Sequence, residues 1–433
     1  NFYSTMIMPV SGNLMNISYA LTAAFGGLLS VIQGFDLGGL VVYLNYSKQV
    51  GQPLNQISQQ TGVSRQTVTK AIQFFMQKGL IVSTGKTDAA NTGGKRAELF
   101  SLSPEKYLLS VCLWPDTIRL SLLNFQSQSV DKLEVKMSLP ATPDAAMQTI
   151  GQLAGRLLSH HTIDPAQLCG VSVSTSGIVD YHTNTLKFNS LSPSWGSDIP
   201  VAELLQPYFA PGTPILVENV AKVVGRSILH NPEYQDKRVL AVFSSWGGIC
   251  ACFIDHDRIL NGVNSLIGEI GHMVLDPDST VACGCGNYGC FERLASTEQL
   301  RAYVAGTISQ HPDSIVNHLS VPELHISDIF SASALADPYA QSISARLGRY
   351  FALALRNITL CFDPEVVVFH GDFAAADNHF RQTIMRKLAA SRYYPKAGPF
   401  TLQFDPRPIQ ELNTRGACTM LLDHIFSDAS VYA

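Results

Sequence analysis

The sequence is poor in charge and has no long hydrophobic run. Only 15% of its 433 residues are charged, whereas 46% are hydrophobic, a balance that excludes disordered, collagen-like and coiled-coil proteins. At roughly 100–200 residues per domain, a chain of this length is expected to form two or three domains. The net charge of −4 gives no overall reason to expect a nucleic-acid partner.

The most apolar stretch lies near the start, in residues 17–46, and Asp36 divides it. Its longest apolar run, residues 17–32, has 16 residues, fewer than the ~20 that a membrane-spanning helix needs. No lysine or arginine precedes Lys48, so the cationic start of a secretory signal is also missing. We predict a buried or partner-facing helical segment over residues 1–35, with a membrane segment as the alternative.

The nine cysteines are odd in number and widely scattered, apart from one tight cluster. This pattern does not fit a disulfide framework, and it is typical of reduced thiols in a cytoplasmic protein. The cysteines are Cys112, Cys169, Cys250, Cys252, Cys283, Cys285, Cys290, Cys361 and Cys418.

Charge is unevenly distributed along the chain. Residues 48–100 carry seven lysines or arginines against two acidic residues, while residues 1–47 contain one charged residue, Asp36. The remaining 333 residues therefore carry a net charge of −8. A small basic module in front of a large acidic body is expected if only the front of the chain contacts phosphates.

The basic module shows the pattern of a winged helix-turn-helix. Residues 54–71 place apolar side chains at helix-turn-helix spacing around Gly62. Residues 80–82 and 99–102 are predicted wing strands, and the loop between them is basic. The predicted DNA contacts are Ser64, Arg65, Gln66, Thr67, Thr69, Lys70, Lys95 and Arg96. The alternative is an ordinary helical hairpin with a solvated polar face.

After residue 104 the pattern changes to strands that alternate with helices. A predicted hairpin over residues 108–124 is followed by a helix at 145–160 and by further strands and helices up to the strand at 366–370. Alternation of this kind predicts an α/β architecture. No internal repeat is visible by eye.

The strongest chemical signal is a cluster of metal-ligand residues spaced as H-x10-C-x-C-x4-C. His272, Cys283, Cys285 and Cys290 are ligands suited to tetrahedral Zn²⁺, and the glycines between them allow tight backbone turns. Four protein ligands leave no position for water, so the predicted zinc is structural. The alternative is a group of buried free thiols or a disulfide.

These motifs together resemble the ROK family of repressors and sugar kinases, and most closely its NagC/Mlc-type repressor branch. The resemblance covers about residues 36–433. Its motifs are the winged helix, NTGGKRAELFSLS at 91–103, STSGIVD at 174–180, VEN at 217–219, GEIGH at 268–272, the cysteine cluster with Glu292, and RGA at 415–417.

The resemblance implies a body of two actin-like α/β lobes with a sugar cleft between them. The implied domains are a segment at 1–35, a winged helix-turn-helix at 36–103, a first lobe at 104–219 plus 406–433, and a second lobe with the zinc site at 220–405. The implied sugar contacts are Asn219, Glu269, His272 and Glu292, with Ser176, Gly177 and Asn189 as weaker candidates.

The sequence departs from the kinase pattern at three places. Family kinases have a general-base Asp directly after the Glu-Asn pair, where Val220 stands in this chain, and its loss alone would cost roughly 10²–10⁴ in rate. The segment CLWPDT at 112–117 lacks the glycines of the first phosphate loop, and SSWGGICAC at 244–252 lacks the usual Gly-Thr-Gly order.

The sequence therefore predicts a cytoplasmic transcriptional regulator, a repressor without enzymatic activity, whose degenerate kinase body senses a sugar or sugar phosphate. Double-stranded operator DNA is the predicted partner, bound by a homodimer or homotetramer. Two alternatives remain open: a sugar kinase with its own DNA-binding domain, and a regulator controlled by a sugar-transport protein.

Overall fold

The structure is a computed structural model that describes residues 52–53, 64–86, 98–137, 142–229, 231–245, 247–393 and 400–427. The predicted segment 1–35, the first helix of the helix-turn-helix, Lys95 and Arg96, and the side chains of Arg65 and Thr67 lie outside this description. Among the described helices, none is both long and apolar enough to cross a membrane.

The N-terminal module contains one described helix and three strands. Strand β1 (Gln52–Pro53) precedes helix α1 (Arg65–Gln77), which is followed by β2 (Ile81–Lys86) and β3 (Glu98–Leu102). The strands pair antiparallel in the order β1-β3-β2. Gly79 at φ 69° makes the turn from α1 into β2, a left-handed conformation that glycine adopts without steric cost.

The first lobe is built on a mixed five-stranded sheet. Its elements are β4 (Tyr107–Leu113), β5 (Thr117–Asn124), β6 (Ser129–Lys136), α2 (Pro143–His160), β7 (Leu168–Thr175), β8 (Ile178–Asp180), β9 (Thr185–Phe188), β10 (Ser197–Ile199), α3 (Val201–Leu205) and β11 (Ile215–Asn219). The large sheet has the order β11-β7-β4-β5-β6, and β8 to β10 form a small antiparallel sheet beside it.

The second lobe repeats this plan. Its elements are α4 (Val220–Ile228), β12 (Arg238–Ser245), β13 (Gly248–Asp255), β14 (Arg258–Ile259), α5 (Phe291–Leu294), α6 (Thr297–Thr307), α7 (Ile326–Ala334), α8 (Pro338–Phe362), β15 (Val366–Gly371), α9 (Asn378–Ala389) and β16 (Thr401–Phe404). The sheet order is β14-β13-β12-β15-β16.

The two large sheets share one topology. Counted along the chain within each lobe, the strand order is fifth, fourth, first, second, third in both sheets, with a parallel trio beside an antiparallel hairpin. Strands buried on both faces explain the continuous apolar runs of β4 and β12. This duplicated α/β architecture agrees with the predicted two-lobed actin-like body.

The last helix, α10 (Ile409–Ser427), joins the module to the first lobe. Its residues Leu421, Leu422, Ile425 and Phe426 lie in one hydrophobic cluster with side chains from α1, β2, β3, β4 and β5. The rings of Phe426 and Phe75 of α1 meet edge to face with centroids 5.3 Å apart. The module and the body therefore share a core.

Candidate functional site

The cleft between the lobes is lined by polar side chains on one side and apolar side chains on the other. The lining residues are Trp114, Ser176, Gly177, Ser190, Leu191, Asn219, Val220, Phe243, Ser245, Gly248, Ile249, Cys250, Glu269, His272 and Glu292. The cavity measures about 30 Å³, room for a water molecule or two. A monosaccharide needs more space, so its entry requires the lobes to move apart.

Asn219 stands at the junction of the lobes, where β11 ends and α4 begins. Its Oδ1 caps α4 by accepting a hydrogen bond from the backbone N–H of Ala221 at 2.8 Å. Its Nδ2 donates to the carbonyl of Gly177 at 2.8 Å and to Oε1 of Glu269 at 3.2 Å. The side chain is thus fixed by its helix cap and connects one lobe to the other.

Glu269 and His272 are presented by a short 3-10 turn that faces the first lobe. Oε2 of Glu269 lies 3.8 Å from Nε2 of His272, and the same nitrogen lies 3.3 Å from Oγ of Ser190. Burial raises the pKa of Glu269. A second polar bridge between the lobes therefore lies beside the first.

Glu292 is almost completely buried at the start of α5. Its Oε1 lies 3.5 Å from Nδ1 of His272 and accepts from Sγ of Cys283 at 3.4 Å, while its Oε2 accepts from the backbone N–H of Ile249 at 3.4 Å. This carboxylate links the cleft to the cysteine cluster.

Of the weaker candidates, Ser176 and Gly177 line the first-lobe side of the cleft, and Asn189 lies behind them. Gly177 has φ 94°, and a Cβ there would lie 2.3 Å from the carbonyl oxygen of Phe188, so only glycine fits. Oγ of Ser176 donates to Oδ1 of Asn189 at 3.2 Å, and the backbone N–H of Leu191 donates to the same oxygen at 3.0 Å. Asn189 thereby supports the lining rather than contributing to it.

His272, Cys283, Cys285 and Cys290 come together as a Cys₃His cluster able to bind a metal, with all ligand atoms within 4.8 Å of one another. None of the nine cysteines is assigned to a disulfide bond. Sγ of Cys285 lies 3.7 Å from Sγ of Cys290, and Sγ of Cys283 lies 3.5 Å from Nδ1 of His272. Tetrahedral zinc bonds of about 2.3 Å to sulfur and about 2.0 Å to nitrogen would separate such ligand pairs by about 3.8 and 3.5 Å.

Close backbone contacts of the loop that carries the cluster explain why this loop contains glycines. Gly289 has φ 66°, and a Cβ there would lie 1.9 Å from the carbonyl oxygen of Asp276. Gly284 approaches the first lobe so closely that a Cβ would lie 2.2 Å from the carbonyl oxygen of Ser190. Burial raises the pKa of the Cys290 thiol to about 11, and a bound cation is what stabilises thiolates in such a place.

The opposite wall of the cleft is apolar. Val220 is 1% exposed and clusters with Trp114, Phe243 and Leu412. The Trp114 and Phe243 rings stack with centroids 6.1 Å apart and planes 6° apart. A buried hydrocarbon surface thus occupies the wall beside Asn219.

The described part of the DNA-binding prediction lies on α1. Val68 and Ala71 are fully buried, while Ser64, Gln66 and Lys70 are exposed and Thr69 is half-buried. The carbonyl of Ser64 accepts from the backbone N–H of Val68 at 3.0 Å and so begins the helix. The exposed residues form a polar helix face.

Two features of the site are not predicted by the sequence. Ser190 contacts His272, and only its position beside Asn189 in the sequence hinted at a role. The stacking of Trp114 on Phe243 joins residues far apart in the chain, and neither residue type signals the contact.

Comparison with known proteins identifies the family of this chain. The ROK family model matches residues 114–421. The chain belongs to the ROK family. The resemblance inferred from the motifs is confirmed, and the relatives include both regulators and kinases.

The curated relatives are distant and cover most of the chain. The xylose repressor of Bacillus subtilis strain 168 is 22% identical over 85% of this chain and 90% of its own. The DNA-binding transcriptional dual regulator NagC of Escherichia coli K12 is 24% identical over 74% and 77%. A glucokinase of Halalkalibacterium halodurans is 22% identical over 66% and 86%.

Two solved structures show the same fold. A ROK family transcriptional regulator, described as a homolog of the E. coli MLC protein, has a TM-score of 0.72 at 18% identity and covers 96% of this chain and 99% of its own. A ROK family glucokinase from Streptomyces griseus, in complex with glucose and AMPPNP, has a TM-score of 0.59 at 20% identity and covers 72% and 98%. The regulator match therefore covers a larger share of this chain than the kinase match does.

Proposed function

We propose that the chain is a cytoplasmic DNA-binding transcriptional regulator of sugar metabolism, a repressor whose ROK body binds a sugar without phosphorylating it. One observation carries the proposal: the cleft keeps its polar wall, while Val220, Trp114 and Phe243 form a hydrocarbon wall. The groups that can form hydrogen bonds with a sugar are retained, whereas Val220 stands where the kinases of the family have their general-base Asp.

The kinase alternative rests on glucokinase relatives with identities close to those of the repressors. Val220 cannot accept a proton from a sugar hydroxyl, and the segment 112–117 offers Trp114 and Pro115 where backbone amides would have to receive phosphate. An ATP-coupled assay with common hexoses and pentoses tests this point. Turnover at ordinary kinase rates would replace the proposal with an enzyme.

The lining favours a neutral sugar over a sugar phosphate as effector. Two carboxylates, Glu269 and Glu292, border the cavity, and no lysine or arginine is among its lining residues in the described part of the chain. The buried Lys222 lies 3.8 Å from Glu218, outside the lining. A phosphate group would add roughly −1.5 to −2 charge beside these carboxylates without a cation to receive it.

The module is the proposed operator-binding unit. The α1 face with Ser64, Gln66, Thr69 and Lys70 would enter the major groove, and β2 with β3 would form the wing. Arg65, Thr67, Lys95 and Arg96 remain predicted contacts. A homodimer would read a near-palindromic operator with half-sites spaced by whole helical turns, and a homotetramer would pair two such units.

A continuous set of contacts connects the cleft with the module. Val220 at the start of α4 clusters with Leu412 of α10. Further along, Gly416 of α10 approaches α4 so closely that a Cβ would lie 1.7 Å from the carbonyl oxygen of Val223. The end of α10 then packs on Phe75 of α1 through Phe426. Movement of α4 with sugar binding would therefore shift α10 and the DNA-binding helix.

Operator binding measured by fluorescence anisotropy, with and without a panel of sugars and sugar phosphates, tests the function. A change in operator affinity with a neutral sugar supports the proposal. A response only to a sugar-transport protein, with no response to any sugar, would favour control by that partner instead.

A further inference from the structure

We propose that the outer edge of the first lobe holds a second metal site, for a divalent transition-metal ion such as Zn²⁺, formed by Asp131, His160 and His161. These three residues lie on β6 and at the end of α2, within the first lobe and apart from the Cys₃His cluster. The proposal is independent of the function proposed above.

The three ligand atoms are separated by the distances that one ion requires. Oδ2 of Asp131 lies 2.9 Å from Nε2 of His161 and 3.5 Å from Nδ1 of His160, and the two nitrogens lie 3.4 Å apart. Ligands at about 2.0–2.1 Å from a tetrahedral ion are about 3.3–3.4 Å apart. The triangle therefore matches one face of a tetrahedron, slightly compressed along one edge.

The local backbone explains why two consecutive histidines converge. His160 is the last residue of α2, whereas His161 leaves the helix at φ −95° and ψ 6°, so their side chains are no longer held at the helical angle to each other. Their rings meet nearly edge to face with centroids 4.7 Å apart. Both rings thereby reach the same carboxylate oxygen.

The surroundings favour a cation at this point. Oδ1 of Asp131 is engaged by the backbone N–H of Lys132 at 2.7 Å, which orients Oδ2 toward the two rings. The site lies at the carboxyl end of an 18-residue helix, where the helix dipole stabilises positive charge. Two imidazoles and one carboxylate suit zinc-class ions and leave a fourth position for water.

Zinc titration of the full-length chain by calorimetry tests the site. We expect one saturable equivalent beyond the metal that occupies the Cys₃His cluster. Asp131→Asn, His160→Gln and His161→Gln should each lower the affinity of that equivalent at least about tenfold, since the loss of second-shell partners alone costs about that much. Cys285→Ser should leave it unchanged.

Asp255 and His256 provide a matched control, since the described part of the chain places no third metal-ligand residue beside this pair. Nδ1 of His256 lies 3.0 Å from Oδ1 of Asp255, so His256→Gln removes an equivalent hydrogen bond and should not alter the extra equivalent. Co²⁺ provides a second readout, because binding at the proposed site should produce no sulfur-to-metal charge-transfer band. Absence of the extra equivalent in the wild-type chain, or its persistence in the three variants with folding intact by thermal melting, would overturn the site.

Discussion

The shared core between α1 and α10 provides the sharpest test of the proposed coupling between sugar binding and operator binding. Phe426 and Phe75 are each 2% exposed, and Phe426 also meets Phe125 edge to face at 6.4 Å. Phe426→Ala should destabilise this region by about 3–5 kcal/mol, the usual cost of removing a buried ring. The module should then move independently of the body.

The assay measures operator affinity with and without the most effective neutral sugar. A typical coupling energy of about 1–3 kcal/mol corresponds to a 5–150-fold change in affinity. We expect Phe426→Ala to bring that ratio close to one, while specific binding by the module is retained. Denaturant unfolding in parallel would show that the body remains folded.

Phe380→Ala is the matched control, because Phe380 is also fully buried among aromatic rings but lies in the core of the second lobe. It should destabilise the protein to a similar extent and preserve the ratio. An unchanged ratio in Phe426→Ala, or an equal loss in Phe380→Ala, would refute coupling through α10.

Four further predictions concern single residues. Glu269→Ala should abolish the sugar response in the anisotropy assay and preserve operator affinity, because Glu269 lies in the cleft. Metal analysis of the wild-type chain should find roughly one zinc per chain, and Cys285→Ser should remove it; a wild-type chain purified metal-free with an intact fold would contradict zinc binding by the cluster. Val220→Asp should create no measurable phosphorylation of sugar by ATP, because both phosphate loops remain altered. Burial lowers the pKa of His370 from its ordinary value of 6.5 to about 4. As the pH falls, the imidazole is therefore protonated in the unfolded chain before it is protonated in the folded chain, so the stability should decline between about pH 6.5 and 4. His370→Gln should flatten that part of the curve of stability against pH.

The local elements of the fold were accessible from the sequence. The predicted hairpin over 108–124, the helix at 145–160 and the strand at 366–370 correspond to β4 with β5, α2 and β15 within a residue or two. Hydrophobic periodicity and turn residues act over short distances, so they determine such elements. The cysteine spacing also predicted the Cys₃His cluster, whose four ligand atoms come close enough together to bind a metal; zinc itself stays a prediction.

Contacts between residues that are far apart in the chain could not be predicted from the sequence. Asp131 and His161 are 30 residues apart, and Phe75 and Phe426 are 351 apart. Their proximity depends on sheet order and helix packing, which residue types alone do not specify. The shared strand order of the two large sheets could also not be predicted from the sequence. Two sheets can have the same strand order although their side chains differ, provided that both follow the same alternation of strands and helices.

The arrangement of the cleft explains how a body built like a kinase can serve as a switch. A sugar changes operator affinity only if it binds one arrangement of the lobes better than another. Asn219 and Ser190 face Glu269 and His272 across the cleft at 3.2 and 3.3 Å, so the same groups can contact each other or a sugar placed between them. At about 0.5–1.5 kcal/mol for each net hydrogen bond, the two exchanged bonds supply a coupling energy of about 1–3 kcal/mol. Under the proposed function, regulation by a sugar requires only the polar wall, and the apolar wall need not supply a catalytic group.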